Sequence, residues 1–292
     1  MELYHKKFQY DAEFPFDYSF RDTKSAQNEL PDHIHDWYEI VYIYSGGGTF
    51  FIDQGIYEAR AGDVLLIPGN TIHRSFPVDA DPKTSTALFF SPSLLHHQPL
   101  GDSFSYLRLF ELARRHRSYL LTLDTQQQGR IVELIQHIHL EMSHRTVGYR
   151  QAALLHLQHI LLLLSRCRMY DQSERGASES NRVSVPSWMN GILRYIEDHL
   201  DDQLGLAQLA ERSSVTPSHF SRVFKGLTGM NVTDYVTTKR IIRAKELLLE
   251  SDRNDDNIAA IAASCGFDSL PHFHRRFKAL TGTTPAKYRR GM

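Results

Sequence analysis

Phe220-Ser221-Arg222-Val223-Phe224-Lys225-Gly226-Leu227-Thr228-Gly229 decides how this chain is read, because its pattern returns. Fifty-three residues later the chain runs Phe273-His274-Arg275-Arg276-Phe277-Lys278-Ala279-Leu280-Thr281-Gly282, with Phe, Arg, Phe, Lys, Leu, Thr and Gly at identical offsets. A recurrence at this spacing marks two copies of one supersecondary unit. In the first copy Phe220, Val223, Phe224 and Leu227 fall at i, i+3, i+4 and i+7, an apolar helical stripe. Ser218, Ser221, Arg222 and Lys225 follow the same spacing on the other side. In the second copy Phe273, Phe277 and Leu280 form the stripe, and Pro271, His274, Arg275 and Lys278 face away.

Local signals bound both helices. Thr216-Pro217 offers a capping hydroxyl followed by a proline, and Ser269 stands in the matching place. Gly229 and Gly282 suit the left-handed residue at which helices stop. Shorter helices precede each copy, over Leu204–Arg212 and Ile258–Ser264, joined to it by short turns. Helix, short turn, helix with a basic outer face is the helix-turn-helix plan, whose second helix enters the major groove. A single copy would equally suit a plain helical bundle with a solvated basic face; two with matched Arg and Lys favour DNA.

The charge distribution agrees. The chain of 292 residues has a formal net charge of −1, which excludes a general polycation. Residues 183–292 hold 15 Lys+Arg against 12 Asp+Glu, and residues 1–182 hold 18 against 22. From Ser269 onward there are six basic residues and no acid, so positive charge gathers where phosphate would be met. The two cysteines, Cys167 and Cys265, lie far apart outside any metal-type spacing and read as reduced core residues. No apolar run is long enough to be a signal core or to span a bilayer, so the expectation is a soluble cytoplasmic protein without a membrane partner.

The first part of the chain has another character. Phe14, Phe16, Tyr18 and Phe20 alternate as in a strand or an extended arm. Residues 31–90 read as many short strands with Gly-containing turns, the signature of an all-β barrel or sandwich. Residues 102–170 turn helical, over 104–115, 125–144 and 151–169. The last helix is apolar around much of its girth and must bury more than one face. The His residues of this region scatter around the helices and read as surface or packing residues. A serine-rich polar stretch, 171–187, reads as a linker. It divides a sensing domain, 1–170, from a second domain, 188–292. The latter opens with a helix from Trp188 and carries helix-turn-helix units at about 204–229 and 257–282, bridged by a long helix near 233–250. The fold class is α+β and multidomain.

Within the β region His33-x-His35, Glu39 and Gly46 are followed by Gly62, Pro68 and His73. This series resembles the paired motifs of the cupin barrel, in which three His and one Glu ligate metal. Imidazole and carboxylate suit Fe, Mn, Ni, Cu or Zn, and alternating strand positions point the same way. Two readings stand. In the favoured one no metal is required, and His33, His35, Trp37, Glu39, Tyr42, His73 and Arg74 line a polar ligand pocket. In the other His33, His35, Glu39 and His73 hold a divalent metal, which opens the competing class of a metal-dependent cupin enzyme fused to a DNA-binding domain.

The C-terminal residues, with Arg240, Ala244, Leu247-Leu248, Gly266-Phe267, Ser269, Pro285 and Tyr288-Arg289 added to the repeat, resemble the AraC/XylS family of transcription regulators. The resemblance implies a sequence-specific, non-enzymatic regulator with an N-terminal cupin-like sensor carrying a helical dimerisation hairpin. Its partners would be double-stranded DNA, a small-molecule effector of carbohydrate type, a second copy in a homodimer and, for an activator, RNA polymerase. It places base contacts at Ser218, Ser221, Arg222, Pro271, His274 and Arg275. Lys225 and Lys278 would clamp phosphates. Arg240 would touch phosphate or serve equally as a buried structural ion-pair partner.

Overall fold

The computed structural model describes residues 4–6, 8, 11, 13–25, 33–77, 81–95, 104–174, 186–250 and 258–290. It divides into two compact units, Lys6–Leu30 with Ile34–Val183, and Ser184–Met292 with the short segments Met1–His5 and Pro31–His33. Most of the expected linker, 175–185, lies outside the described residues; its first four residues are helical.

Two five-stranded sheets build the β region. The first runs in the order β1 (Tyr4–His5), β3 (His33–Ile34), β8 (His73–Pro77), β5 (Gly47–Ile52) and β6 (Gly55–Arg60). The second runs β10 (Leu120–Thr122), β7 (Asp63–Ile67), β4 (Tyr38–Ser45), β9 (Lys83–Phe90) and β2 (Phe16–Lys24). The alternating aromatic stretch is thus an edge strand, β2, paired with β9. Register on β4 decides what faces inward. Tyr38 pairs with Phe90, and both rings meet Phe110 of helix α1 (Arg108–Arg115) at centroid distances of 4.7 and 5.9 Å. Glu39 pairs with Phe89, and these face the other way, between the sheets. Successive strand residues take opposite faces, so the whole inner and outer set of β4 follows from that pair.

Helices α2 (Thr125–His144) and α3 (Tyr149–Glu174) form a hairpin. Asp124 and Gln127 make a reciprocal capping box at the start of α2. Ile131, Leu134, Ile135 and Ile138 of α2 and Leu157, Ile160, Leu161 and Leu164 of α3 join one core with the second sheet. Leu155 of α3 is 65% exposed and Leu140 of α2 40%, so both present apolar surface outward.

The C-terminal unit is all helix: α4 (Ser187–Asp198), α5 (Leu206–Arg212), α6 (Pro217–Thr228), α7 (Val232–Glu250), α8 (Ile258–Ser264), α9 (Leu270–Thr281) and α10 (Pro285–Arg289). The stripe of α6 buries Phe220 and Phe224; Trp188 of α4 stacks on Phe220, and Phe224 meets Tyr235 of α7 edge-on. The stripe of α9 buries Phe273 and Phe277 against Ile241, Ala244 and Leu248 of α7, with Ile261, Cys265 and Phe267. Truncating any of these four phenylalanines to Ala costs about 3–5 kcal/mol. The long helix α7 is shared by both small cores, which is how two short units become one body. Neither cysteine is in a disulfide. Among the described residues no helix is long and apolar enough to cross a membrane.

Candidate functional sites

The repeat in sequence is a repeat in hydrogen bonding. At the start of α6 the Thr216 hydroxyl accepts from the backbone N–H of His219 at 3.3 Å; at the start of α9 Ser269 accepts from His272 at 3.5 Å. At their ends Thr228 and Thr281 each donate to a phenylalanine carbonyl one turn back, Phe224 and Phe277, both at 2.8 Å. Gly229 and Gly282 then take the left-handed conformation at φ 70° and 74°. Both helices are held at both ends with one face free. On α6 that face shows Ser218, Arg222 and Lys225 exposed and Ser221 half-buried; on α9 it shows Pro271, Arg275 and Lys278 exposed and His274 half-buried.

Neighbours that the sequence pattern did not single out tune these faces. Arg222 lies 3.3 Å from Nδ1 of His219. Partial burial, then the charges of Arg275, Arg276 and Arg240, holds His272 below the usual imidazole pKa. Arg276 bonds Asp234 of α7 at 3.2 Å, which ties α9 to the shared helix.

In the β region a second constellation is buried. His33, His35, Glu39 and His73 place their donor atoms within 4.8 Å of one another. Nε2 of His35 lies 3.0 Å and Nε2 of His73 3.1 Å from the same Glu39 oxygen, Oε2. On the far side of each ring Nδ1 meets a backbone carbonyl: Trp37 O at 2.8 Å for His35, Thr71 O at 2.9 Å for His73. Burial lowers the pKa of His35 and outweighs the hydrogen bond to Glu39 that would raise it. Burial pushes Glu39 up, yet hydrogen bonds from His35 and His73, with their charges, hold it well below the ordinary carboxylate value. Phe89 of β9 and Phe8 set their rings edge-on to His35, and Lys6 lies over the Phe89 ring. Two residues along β8 from His73, Ser75 accepts from the buried amine of Lys83, which also sits over Phe50. Phe8, Phe89, Ser75 and Lys83 extend the site; alternation from His73 to Ser75 was the available signal for the last pair.

Comparison with known families matches both halves. Residues 19–161 fit the AraC-like ligand binding domain and residues 209–291 a helix-turn-helix domain of the type "HTH_18". The chain belongs to the AraC family. It is a DNA-binding transcription regulator with an N-terminal ligand-binding domain. The chain is 24% identical to the HTH-type transcriptional activator RhaS of Escherichia fergusonii, over 92% of this chain and 91% of that protein. It is 22% identical to the transcriptional activator RhaR of Mannheimia succiniciproducens, over 92% and 90%. Among solved structures, the C-terminal domain of AraT, a response regulator from Geobacillus stearothermophilus, is 30% identical; the match covers 38% of this chain and 89% of that one, at a TM-score of 0.35.

Within this AraC-family chain several expected site residues stand elsewhere. Arg240 is held within its own unit: Nε donates to Leu200 O at 2.7 Å and Nη2 to Asp202 O at 2.6 Å, so it clamps the segment between α4 and α5. Its partners are carbonyls, not the acid of an ion pair. Tyr42 shares the face of Tyr38 and Ile40 on β4, opposite Glu39, and its ring packs on Tyr44, away from the His35–Glu39–His73 cluster. Arg74 follows His73 on β8 and takes the opposite face, over Phe76. The Trp37 ring is covered by Phe8, stacked at 4.4 Å, so Trp37 serves the site through its carbonyl.

Proposed function

We propose that this regulator reads DNA through α6 and α9 and answers to a sugar or sugar derivative held between the two sheets. The observation that carries the DNA half is the pair of end-capped helices with matched, exposed Arg222 and Arg275. A guanidinium can bond O6 and N7 of guanine together, which makes these two the base readers. Ser221 and His274 lie beside them for shorter-range contacts, Ser218 and Pro271 border the groove, and Lys225 and Lys278 neutralise phosphates. Because α7 is common to both cores, the two helices can address successive major grooves about 34 Å apart.

The ligand half rests on a buried polar cluster edged by aromatic rings. Imidazoles and a carboxylate match the hydroxyl groups of a pyranose or furanose ring. Ligand binding favours one arrangement of a homodimer over another and so shifts its DNA-competent population. The exposed Leu155 and Leu140 of the α2–α3 hairpin support self-association there. As an activator the protein would meet RNA polymerase in the cytoplasm, and it carries out no reaction of its own.

The test is selection from a randomised duplex pool, followed by binding of Arg222→Ala and Arg275→Ala to the enriched site. Each variant is expected to lose about 1–3 kcal/mol and to relax preference at one base pair. A thermal-shift screen against sugars tests the sensor, since a specific ligand at 100 times its Kd stabilises the fold by about 2.7 kcal/mol.

A further inference from the structure

We infer that His219 is a positioning residue for DNA readout: its Nδ1 accepts a hydrogen bond from the Arg222 guanidinium and sets that side chain before DNA arrives. This rests on Arg222 being the base reader proposed above.

The two reading helices match beyond the ten residues of the repeat. His219 and His272 stand at the same offset as the rest, each three residues before its reading arginine. Each is the third residue of its helix, and its backbone N–H bonds the capping hydroxyl of Thr216 or Ser269. Each ring also has an aromatic neighbour that packs on the phenylalanine next in line. Trp188 lies 6.4 Å from His219 and 5.1 Å from Phe220; Phe267 lies 5.8 Å from His272 and 5.1 Å from Phe273. A backbone cap and an aromatic wall thus hold both imidazoles in the first turn, the part of a recognition helix that meets base edges.

The copies differ in what the imidazole does next. Nη2 of Arg222 lies 3.3 Å from Nδ1 of His219, an i, i+3 pair on the helix surface. A guanidinium only donates, so Nδ1 holds the lone pair and the neutral ring carries its proton on Nε2. The bond uses one of the five guanidinium hydrogens; the others suffice for O6 and N7 of a guanine. Among the described residues no such bond joins His272 to Arg275, and the His272 ring meets Phe267 edge-on. An exposed arginine samples many rotamers and gives up that freedom on binding, whereas one held beforehand loses less. Ordering one such side chain is worth about two- to tenfold in affinity. Readout at the Arg222 base pair therefore depends on the neighbouring histidine, and readout at the Arg275 base pair does not.

The experiment uses the full-length protein and the enriched operator, with single-base substitutions at the positions relaxed by Arg222→Ala and by Arg275→Ala. Discrimination is the ratio of Kd values for substituted and correct base, read by fluorescence anisotropy. His219→Leu should narrow it about two- to tenfold at the Arg222 position and leave the Arg275 position unchanged. His219→Phe, which keeps a flat ring without an acceptor, should do the same. His219→Asn, whose side-chain oxygen takes the place of the Nδ1 acceptor, should restore it to within about twofold. His272→Leu should leave the Arg275 position unchanged. The backbone cap bond survives in all four variants, and a wild-type Tm checks that it does. Wild-type discrimination in both His219→Leu and His219→Phe overturns the inference. So does equal narrowing in His219→Leu and His219→Asn, which would mark a packing role. Equal narrowing by His272→Leu at the Arg275 position overturns it too, because no hydrogen bond is there to lose. If Arg222→Ala relaxes no base pair, the reader assignment has failed and the positioning role falls with it; a relaxed Arg222→Ala beside an unchanged His219→Leu refutes the positioning alone.

Discussion

Replacing Arg240 with Met tests whether this residue is a clamp or a DNA contact. The substitution keeps the aliphatic stem and removes the guanidinium, which donates at 2.7 Å to Leu200 O and 2.6 Å to Asp202 O. Hydrogen bonds to a charged group contribute about 1.5–3 kcal/mol each. Since the guanidinium is only half-buried, the lower value applies, and two bonds give about 3 kcal/mol. In a unit of this size one kcal/mol moves the midpoint by about 4–8 °C, so Tm should fall by roughly 12 °C or more. Calorimetry of the full chain reads that loss in the transition of the C-terminal unit. The companion measurement is DNA affinity against salt, where each lost phosphate contact reduces the log–log slope by about 0.9. Arg240→Met should leave the slope unchanged, whereas Lys225→Ala should reduce it by about 0.9 with Tm nearly unmoved. An Arg240→Met protein with wild-type Tm and a slope reduced by about 0.9 would refute the clamp.

Three other predictions use separate parts of the structure. Gly266 and Gly282 both have left-handed φ, 79° and 74°, but a Cβ on Gly266 would run into Leu200 O and the Arg240 guanidinium, whereas one on Gly282 meets nothing within 4 Å. Gly282→Ala should therefore cost only the left-handed penalty of about 1–2 kcal/mol, and Gly266→Ala clearly more, by denaturant titration. Tyr42→Phe and Arg74→Ala, which face away from Glu39, should keep the wild-type thermal shift with an effector sugar; loss of that shift in either would mean the strand register is wrong. The His156 pKa is lowered by partial burial and then by His137, so the unfolded chain takes up the proton first as pH falls. Stability from this group is present above about pH 6.5 and is lost below it; the drop in Tm between pH 7.5 and 5.5 should be smaller in His156→Gln.

Much of the C-terminal unit was legible because its signals are local. Phe220 and Phe224, Phe273 and Phe277, the caps Thr216 and Ser269 and the stops Gly229 and Gly282 all declare themselves within one helix length. What failed was non-local. Nothing near Arg240 shows that its donors end on Leu200 and Asp202, forty and thirty-eight residues upstream. Sequence alternation brought His35, Glu39 and His73 to one place, but it could not say which parity of β4 and β8 faced inward. Once Glu39 is seen inside, Tyr42 must be outside by the same alternation, and Arg74 must oppose His73. Trp37 precedes β4 and escapes that rule; Phe8, some thirty residues away, decides its surroundings. The strand β10 and the helix α10, with 3 and 5 residues, were too short to show a period.

The most direct measurement is base preference at every position of the enriched operator, for wild type, Arg222→Ala and Arg275→Ala. Two separate relaxed base pairs about one helical turn apart, one for each variant, are the predicted result. A loss that is equal on operator and random duplex, or a relaxed position common to both variants, would contradict the twin reading helices.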